Sequence, residues 1–300
     1  MSAISERSVN AMIASDFQRP KRRSLPGIVR SGAHIPLVGL GVPLAKALEL
    51  AGLWPRILLK ASRRGTRDFC FAGYQPTGHD VFACVGFRTG TNWLLQIAVQ
   101  IAHLREAESD GLADDSPIRS APARLRIMET HLEHGLVPYS PEARYLVMVR
   151  DPKNVILSEY QLMRSLLFGP LMPSIRHWVE LNLTGDLLSV SWARHLASYW
   201  RVRNQPNVLF LTYEDFRAAP ADLVRQIAHF MRVNLDTLQL EAVMRVASFR
   251  PGEADQLLSP ELGQLIDEHS RCELRRLNCD FPYDLAYVKG QSISPICGGH

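Results

Sequence analysis

The stretch VFACVGFRTGTNW, residues 81–93, decides the fold class of this chain. It begins with a short apolar run typical of a buried strand and continues through a glycine-containing turn into a helical pattern from about residue 92 to 104. In such a unit the backbone N–H groups at the start of the helix point at the turn and attract anions. Residues 81–93 therefore predict an anion-binding unit of an α/β protein.

Apolar strand-like runs alternate with helical patterns along the rest of the chain. The predicted strands lie at 125–130, 145–149 and 208–211, and the predicted helices at 152–167, 192–203, 223–231 and 260–277. Residues 107–120 are predicted to be loop and residues 168–186 irregular. This alternation predicts a three-layer α/β fold, a central parallel sheet flanked by helices, with ligands beyond the carboxyl ends of the strands.

The positive charge of the chain is concentrated near its beginning. The formal net charge is +4, whereas residues 1–69 alone hold 12 Lys/Arg against 4 Asp/Glu. We divide the chain into a basic, flexible arm at 1–34, a helical extension at 35–77, a main domain at 78–285 and a tail at 286–300. The helical pattern at 43–60 favours packing on the main domain, and weak contact with a membrane surface is the alternative.

The cysteines and the opening residues indicate the compartment. The five cysteines, an odd number without a C-x-x-C pair, argue against a secreted disulfide framework and fit reduced thiols in a cytosol. The opening MSAISERSVN lacks the apolar core of a signal peptide, and the uncharged run at 35–45 is too short to span a membrane. We expect a cytoplasmic protein, and no nucleic-acid partner because the basic residues are not interleaved with aromatics.

The turn after the first strand has the composition of an anion cradle. Gly86 and Gly90 permit close backbone approach, and the N–H groups from Thr89 onward can point at an anion. Arg88 adds a cation, and the hydroxyls of Thr89 and Thr91 add donors. An ATP-binding P-loop has Lys directly after its second glycine, whereas here Thr91 follows Gly90. The cradle is therefore predicted to take a different anionic ligand.

FRTGTNW, residues 87–93, resembles the P-K-S-G-T-T-W loop of PAPS-dependent sulfotransferases of the cytosolic type. That loop binds the 5′-phosphosulfate of 3′-phosphoadenosine-5′-phosphosulfate (PAPS). Phe87, in place of Pro, departs from the motif. The resemblance implies that Arg88 stabilises charge on the sulfuryl group. It also implies that the co-substrate is bound by Arg88, Thr89, Gly90, Thr91, Asn92 and Trp93.

YLVMVRDPKNVILSEY, residues 145–160, resembles the family's 3′-phosphate segment, V-R-N-P-K-D-x-x-x-S. The matching positions are Arg150, Pro152, Lys153 and Ser158. Asp151 and Asn154 exchange the Asn and Asp of the family motif, and Asp151 can cap the helix that follows. The resemblance implies that Arg150 and Ser158 bind the 3′-phosphate.

SWARHLASYWRVRNQPNVLFLTYEDF, residues 191–216, resembles the family's S-W-x-x-H-x-x-x-W helix and the strand after it. The resemblance implies that Tyr213 contacts the adenine. The large side chains of this helix are interpreted as core: Trp192, His195 and Trp200. Glu214 and Asp215 follow the strand, and carboxylates at such a position are expected to face solvent.

The general base is sought in RIMETHL, residues 126–132, which resembles the family's K-T-H-L segment. By that resemblance His131 takes the proton of the acceptor, a role that suits an imidazole at neutral pH. Glu129 replaces the family's Lys and shares a strand face with His131, because residues two apart on a strand point the same way. Either Glu129 orients His131 and stabilises its protonated form, or Glu129 is itself the base, as in the membrane-bound sulfotransferases.

The family pattern is less complete after residue 247. Ser248 and Phe249 resemble a Ser-Phe pair that borders the adenine, which implies a base held between Phe249 and Trp93. The family's second 3′-phosphate loop, R-K-G-x-x-G-D-W-K, is absent. Residues 250–259 read RPGEADQLLS instead and offer Arg250 as one cation.

The chain is thus identified as a member of the PAPS-dependent sulfotransferases, similar to bacterial ones, with their P-loop-NTPase-like sulfotransferase fold over about residues 80–283. The resemblance implies in-line transfer of a sulfuryl group, without a metal, to a hydroxyl or amine of a small-molecule, glycan or lipid acceptor. Two alternatives are a P-loop-type nucleotide phosphotransferase and a non-catalytic nucleotide-binding relative.

Overall fold

Four parallel strands form the centre of the structure. The computed structural model describes residues 71, 73–111, 125–184, 191–246 and 257–291. Its strands are β1 (Asp80–Val85), β2 (Arg126–Thr130), β3 (Arg144–Val149) and β4 (Val208–Thr212), paired in the order β2-β1-β3-β4. The predicted parallel sheet is confirmed, and the loop after β1 lies between the ends of β2 and β3.

Helices connect the strands and cover them. They are α1 (Thr91–Gly111), α2 (Pro152–Met163), α3 (Ile175–Thr184), α4 (Trp192–Trp200), α5 (Tyr213–Ala218), α6 (Pro220–Phe230), α7 (Thr237–Val246) and α8 (Pro260–Arg276). π-helical turns follow α2 at Arg164–Phe168 and α8 at Asp284–Val288, and 3-10 turns lie at His134–Leu136 and Gly169–Leu171.

Two hydrophobic cores, one on each face of the sheet, produce the three predicted layers. Val81, Ala83 and Val85 point to one face, where they pack against α1, α6 and α7. Phe82 and Cys84 point to the other face, where they pack against α4 and the end of α8. Successive side chains of a strand point to opposite faces, so a continuous apolar run such as β1 must be covered on both.

A smaller apolar cluster lies beside the sheet and joins α2, α3 and α8. Tyr160, Trp178 and Ile266 are buried in it, and Phe87 from the loop after β1 packs against it. The cluster holds α2, which carries Ser158, next to that loop.

Parts of two segments predicted as loop or irregular structure are helical, namely 107–111 and 175–184, whereas residues 112–120 and 185–186 lie outside the described residues. α1 continues to Gly111, past the loop predicted from residue 107, because the intervening REAE sequence consists of strong helix formers. α3 occupies most of the segment predicted to be irregular at 168–186, because Trp178, Val179 and Leu181 lie on one buried helical face. For these described residues both predictions were wrong, because the sequence analysis gave polar residues and proline more weight than the helical spacing of the apolar residues.

Other boundaries also differ from the sequence prediction. α2 ends at Met163 and continues as a π-helical turn instead of an α-helix to residue 167. α5 was not predicted, and it begins where the Thr212 hydroxyl accepts the N–H of Asp215. α7 was not predicted either, and it buries Leu240 and Val243 in the core that contains α1.

Parts of the predicted organisation lie outside the described residues. These are the arm at 1–34, most of the extension at 35–77 and most of the tail at 286–300, so the division into segments stays a prediction. Across the ranges that the structure does describe, no helix combines the length and the apolar character needed to cross a membrane. The thiols of Cys84, Cys272 and Cys279 are free.

A buried carboxylate anchors the amino end of β1. Asp80 is fully buried and accepts hydrogen bonds from the backbone N–H of Thr77 at 2.7 Å and from Nε of Arg126 at 2.6 Å. Burial alone raises the pKa of Asp80, but the hydrogen bonds from Thr77 and Arg126 outweigh it, so the pKa is lowered. The charged carboxylate therefore stabilises the folded state above about pH 4, the ordinary range of an unfolded Asp.

We expect Asp80→Asn to lower the free energy of unfolding at pH 7 by about 1.5–3 kcal/mol, the contribution of hydrogen bonds to a charged group. Because the folded pKa is the lower one, this stabilisation is lost as the pH falls through it, and the difference should shrink near pH 3. Urea unfolding at both pH values measures this. Asp222→Asn, which removes an exposed ion pair with Arg225, is the control. An equal loss at both pH values would contradict the assigned role of the charge.

Candidate active site

The loop after β1 contains two residues in unusual backbone conformations. Gly90 has φ +108°, and a Cβ there would lie 3.0 Å from Cδ2 of Tyr213 and 3.1 Å from Sδ of Met148. Arg88 has φ +62°, in the left-handed region that costs a non-glycine residue roughly 1–3 kcal/mol. Glycine is therefore required at position 90, and the loop holds the Arg88 side chain at the cost of strain.

Two donors of Thr89 that were predicted to bind an anion form hydrogen bonds inside this loop. The N–H and the hydroxyl of Thr89 both donate to the carbonyl of Gly86, at 3.2 and 2.7 Å. Thr89 is buried and does not line the cavity described next. In this geometry Thr89 supports the turn, and its contact with an anion stays a prediction.

A cavity of about 510 Å³ opens at the carboxyl edge of the sheet. Each of the four strands contributes a wall, since the lining residues lie at or just beyond the strand ends. The lining consists of Phe87, Arg88, Gly90, Thr91, Asn92, Trp93, Glu129, His131, Arg150, Ser158 and Tyr213. Residues predicted from four separate sequence segments thus meet at one place. Ser248, Phe249 and Arg250 lie outside the described residues.

Two guanidinium groups face this cavity. Nε of Arg88 donates to Oγ of Ser158 at 2.9 Å, and Nη1 of Arg150 donates to the backbone carbonyl of Arg88 at 3.3 Å. Cζ of Arg150 lies 4.2 Å from the ring centre of Tyr213, a cation–π contact. Burial and then the charge of Arg150 lower the pKa of Arg88. Two like charges that act on each other across one cavity favour an anion between them.

A buried carboxyl group beside Arg88 was missed by the sequence analysis. Glu159 is only 6% exposed although it neighbours Ser158 on α2. Burial raises its pKa to about 8, while the positive charge of Arg88 acts in the opposite direction. The signal that could have revealed it is its place between apolar residues on the inner face of α2.

The two base candidates are in contact. Nδ1 of His131 lies 2.8 Å from the carbonyl of Val85, and its Nε2 lies 3.2 Å from Oε1 of Glu129. Because a carbonyl oxygen only accepts, Nδ1 carries a hydrogen and Nε2 is the nitrogen available for proton transfer. The ring of Phe87 stands perpendicular to the imidazole, with ring centres 5.8 Å apart. The imidazole is therefore fixed from three sides.

Several of the remaining residues singled out in the sequence are buried beneath the site. His195 and Trp200 are buried, as predicted for core residues, and burial followed by the charge of His131 lowers the pKa of His195 to about 3. Glu214 does not face solvent as expected: its Oε1 accepts the N–H of Asp151 at 3.0 Å. Burial raises the pKa of Glu214 to about 7. Trp93 lines the cavity and packs against Phe216.

The fold and the site define a class of protein. A parallel sheet flanked by helices, with a glycine-containing loop between β1 and α1, is a P-loop-NTPase-like α/β architecture, and two guanidinium groups lie at the carboxyl edge of this one. In the described part of the chain, no group of three or more His, Cys, Asp or Glu side chains is arranged to hold a metal ion.

The chain belongs to the sulfotransferase family: residues 79–276 match the family described as Sulfotransferase domain. Sulfotransferase 4A1 of Homo sapiens is 26% identical over 57% of this chain and 66% of its own length. Sulfotransferase 1B1 of Mus musculus is 26% identical over 68% of this chain and 75% of its own length. The chain thus spans just under two thirds of the length of the first of these relatives.

Solved structures agree on the fold. A mouse sulfotransferase, SULT7A1, complexed with PAP has a TM-score of 0.53 at 18% identity, covering 74% of this chain and 91% of that chain. A putative steroid sulphotransferase of Arabidopsis thaliana has a TM-score of 0.50 at 20% identity, covering 75% of this chain and 83% of that chain. The predictions of family and fold class are confirmed.

Proposed function

We propose that the protein transfers a sulfuryl group from PAPS to a hydroxyl or amine of an acceptor. The observation that carries this proposal is the arrangement of Arg88, Arg150 and His131 around one cavity. Membership of the sulfotransferase family and the PAP-bound mouse relative support it. The reaction is proposed to take place in the cytoplasm.

The proposed reaction is an in-line displacement at sulfur. The acceptor oxygen or nitrogen forms a bond to sulfur, and the bond from sulfur to the bridging oxygen of the 5′-phosphate breaks with its electron pair on that oxygen. Adenosine 3′,5′-bisphosphate (PAP) leaves, and the acceptor proton passes to the base. Arg88 and the N–H groups at the start of α1 stabilise the charge on the bridging and sulfuryl oxygens. Fixed cations thus perform the charge stabilisation in this scheme.

His131 is proposed to receive the acceptor proton at Nε2, and Glu129 to stabilise the resulting imidazolium. Support comes from the two contacts of the ring, since the Val85 carbonyl fixes the tautomer and Glu129 lies at the nitrogen that gains the proton. The alternative, in which Glu129 is the base, makes a different prediction for the two single variants and is tested in the Discussion.

Nucleotide binding is proposed to use both halves of the site. Arg88, Gly90, Thr91 and Asn92 surround the phosphosulfate. Arg150 and Ser158 bind the 3′-phosphate, and Tyr213 and Trp93 contact the adenine together with Phe249. The acceptor, a small molecule, glycan or lipid, is proposed to enter on the side of Phe87.

Calorimetric titration with PAP tests the proposal. We expect the wild type to bind PAP, and Arg150→Ala to weaken binding about 10- to 150-fold, for a lost charge-assisted interaction of roughly 1.5–3 kcal/mol. Arg225→Ala, which removes an exposed arginine outside the cavity lining, is the matched control.

ATP with Mg²⁺ is the parallel ligand. Binding of ATP without binding of PAP would contradict the proposal and favour a P-loop-type phosphotransferase. Binding of PAP without any sulfated product in an acceptor screen would favour a non-catalytic relative.

A further inference from the structure

A charged cluster joins the 3′-phosphate segment to the C-terminal helix α8. Nζ of Lys153 lies 2.5 Å from Oδ1 of Asp267 on α8 and 3.4 Å from Oδ2 of Asp151. The hydroxyl of Tyr283 donates to the same Asp267 oxygen at 2.7 Å. We call these four residues the Lys153 cluster. It links two parts of the chain that are 114 residues apart.

The Lys153 cluster is shielded from solvent. Asp151 and Tyr283 are buried, and the side chains of Lys153 and Asp267 are only 21% and 17% exposed. A buried ion pair adds little net stability, because the loss of hydration offsets the attraction between the charges. Apolar residues of similar size would stabilise the contact between α2 and α8 equally well, so stability does not explain why these residues are charged.

The cluster fixes a short piece of backbone that carries Arg150. The Asp151 side chain accepts the N–H of Lys153 at 2.9 Å and so caps α2. Nε1 of Trp192 donates to the Arg150 carbonyl at 2.9 Å, and Glu214 accepts the N–H of Asp151. The backbone next to Arg150 is thus held by side chains from α4, α5 and, through Lys153, α8.

Lys153 itself does not reach the cavity. It is absent from the cavity lining, and its ammonium group contacts the carboxylates of Asp267 and Asp151. The aliphatic part of Lys153 approaches Gly263 of α8, where a Cβ would lie 3.8 Å from Cδ. Lys153 thus links α2 to α8 and is not among the residues that line the cavity.

We propose that Asp267 is a positioning residue for recognition of the 3′-phosphate, acting through Lys153 and Asp151 on the backbone that carries Arg150. The inference rests on the proposed function, since it assumes that Arg150 binds the 3′-phosphate of PAP. It also gives α8 a role in a chain whose sequence lacks the family's second 3′-phosphate loop. The helix acts by orienting Arg150 and makes no contact with the ligand.

The test compares two ligands that differ only in the 3′-phosphate, PAP and adenosine 5′-monophosphate. Asp267→Asn keeps the size of the side chain and an acceptor for Tyr283 but removes the charge that holds Lys153. We expect the Kd for PAP to rise about tenfold and the Kd for the monophosphate to stay within about twofold, because Arg150 keeps its charge but loses its orientation toward the 3′-phosphate. Calorimetry measures both constants.

A control and a second variant keep the test decisive. Asp284→Asn removes an exposed ion pair in which Oδ1 of Asp284 lies 2.7 Å from Nε of Arg271 on α8. This variant should leave both dissociation constants unchanged. Tyr283→Phe removes one hydrogen bond to Asp267 and should produce a smaller, similarly selective loss of PAP affinity. Thermal unfolding of each variant confirms that the protein is folded, and Tyr283→Phe replaces Asp267→Asn if the latter is not.

The two proposals fail in different ways. An unchanged affinity ratio in folded Asp267→Asn, or an equal loss for both ligands, would overturn the role of Asp267 and leave the sulfotransferase proposal standing. A wild type that fails to prefer PAP over the monophosphate would instead contradict 3′-phosphate recognition itself.

Discussion

Replacing Arg88 by alanine is expected to lower turnover at least tenfold, because removal of one charge-stabilising donor costs roughly 2–4 kcal/mol in the transition state. The Arg88 side chain lines the cavity and donates a hydrogen bond to Ser158, and its backbone is in a strained conformation. Transfer of labelled sulfuryl from PAPS, to an acceptor identified by screening phenols, alcohols and amines, provides the rate. Single-turnover measurements separate this step from nucleotide binding.

Arg88→Lys is the informative companion variant. It keeps the charge and restores the residue of the family motif, but it loses the planar fork that reaches Ser158. We expect its rate to lie between those of the wild type and Arg88→Ala. Unchanged turnover in Arg88→Ala would remove this residue from the mechanism.

Replacing His131 by alanine is expected to lower the chemical step by about 10²- to 10⁴-fold, the usual range for a general base. The residual rate measures how far the Glu129 carboxylate, 3.2 Å from Nε2 in the wild type, can accept the proton in its place. Glu129→Gln keeps the shape of the side chain but removes the charge that lies 3.2 Å from Nε2. Its rate should fall less than that of His131→Ala, because the imidazole remains and only the charge that stabilises the imidazolium is lost.

The comparison of the two variants decides between the alternative bases. If Glu129→Gln and Glu129→Ala abolish the chemical step while His131→Ala keeps it, Glu129 is the base and His131 the supporting group. Phe87→Leu is a useful control, because it alters the cavity wall beside the imidazole without removing a titratable group.

Much of the fold and the site could be predicted because the relevant signals are local. β1, β3 and β4 are apolar runs buried on both faces, and the predicted ligand-binding residues Arg88, Arg150 and Tyr213 follow soon after them. Since parallel strands bring their carboxyl ends to one edge, motifs spread over residues 86–213 had to meet there. The predicted helix boundaries failed where burial against distant elements, as in α3, decided the structure.

The parts that could not be predicted depend on contacts between distant segments. The place of Glu159 on the apolar face of α2 can be read locally, but its proximity to Arg88 cannot, nor can the hydrogen bond from the N–H of Asp151 to Glu214. The left-handed conformation of Arg88 could not be predicted either, because glycine and asparagine are the residues that usually adopt it. Lys153 matched a motif, but its partner on α8 carried no motif at all.

The hydrogen bond between His131 and the last carbonyl of β1 has a consequence for alignment. The Val85 carbonyl immediately precedes the loop predicted to hold the sulfur donor, so the donor loop and the imidazole share one attachment point. We therefore expect a change in the backbone at Val85 to displace the donor loop and the imidazole together. Under the proposed function, the alignment of the sulfur donor with the base depends on this one peptide group.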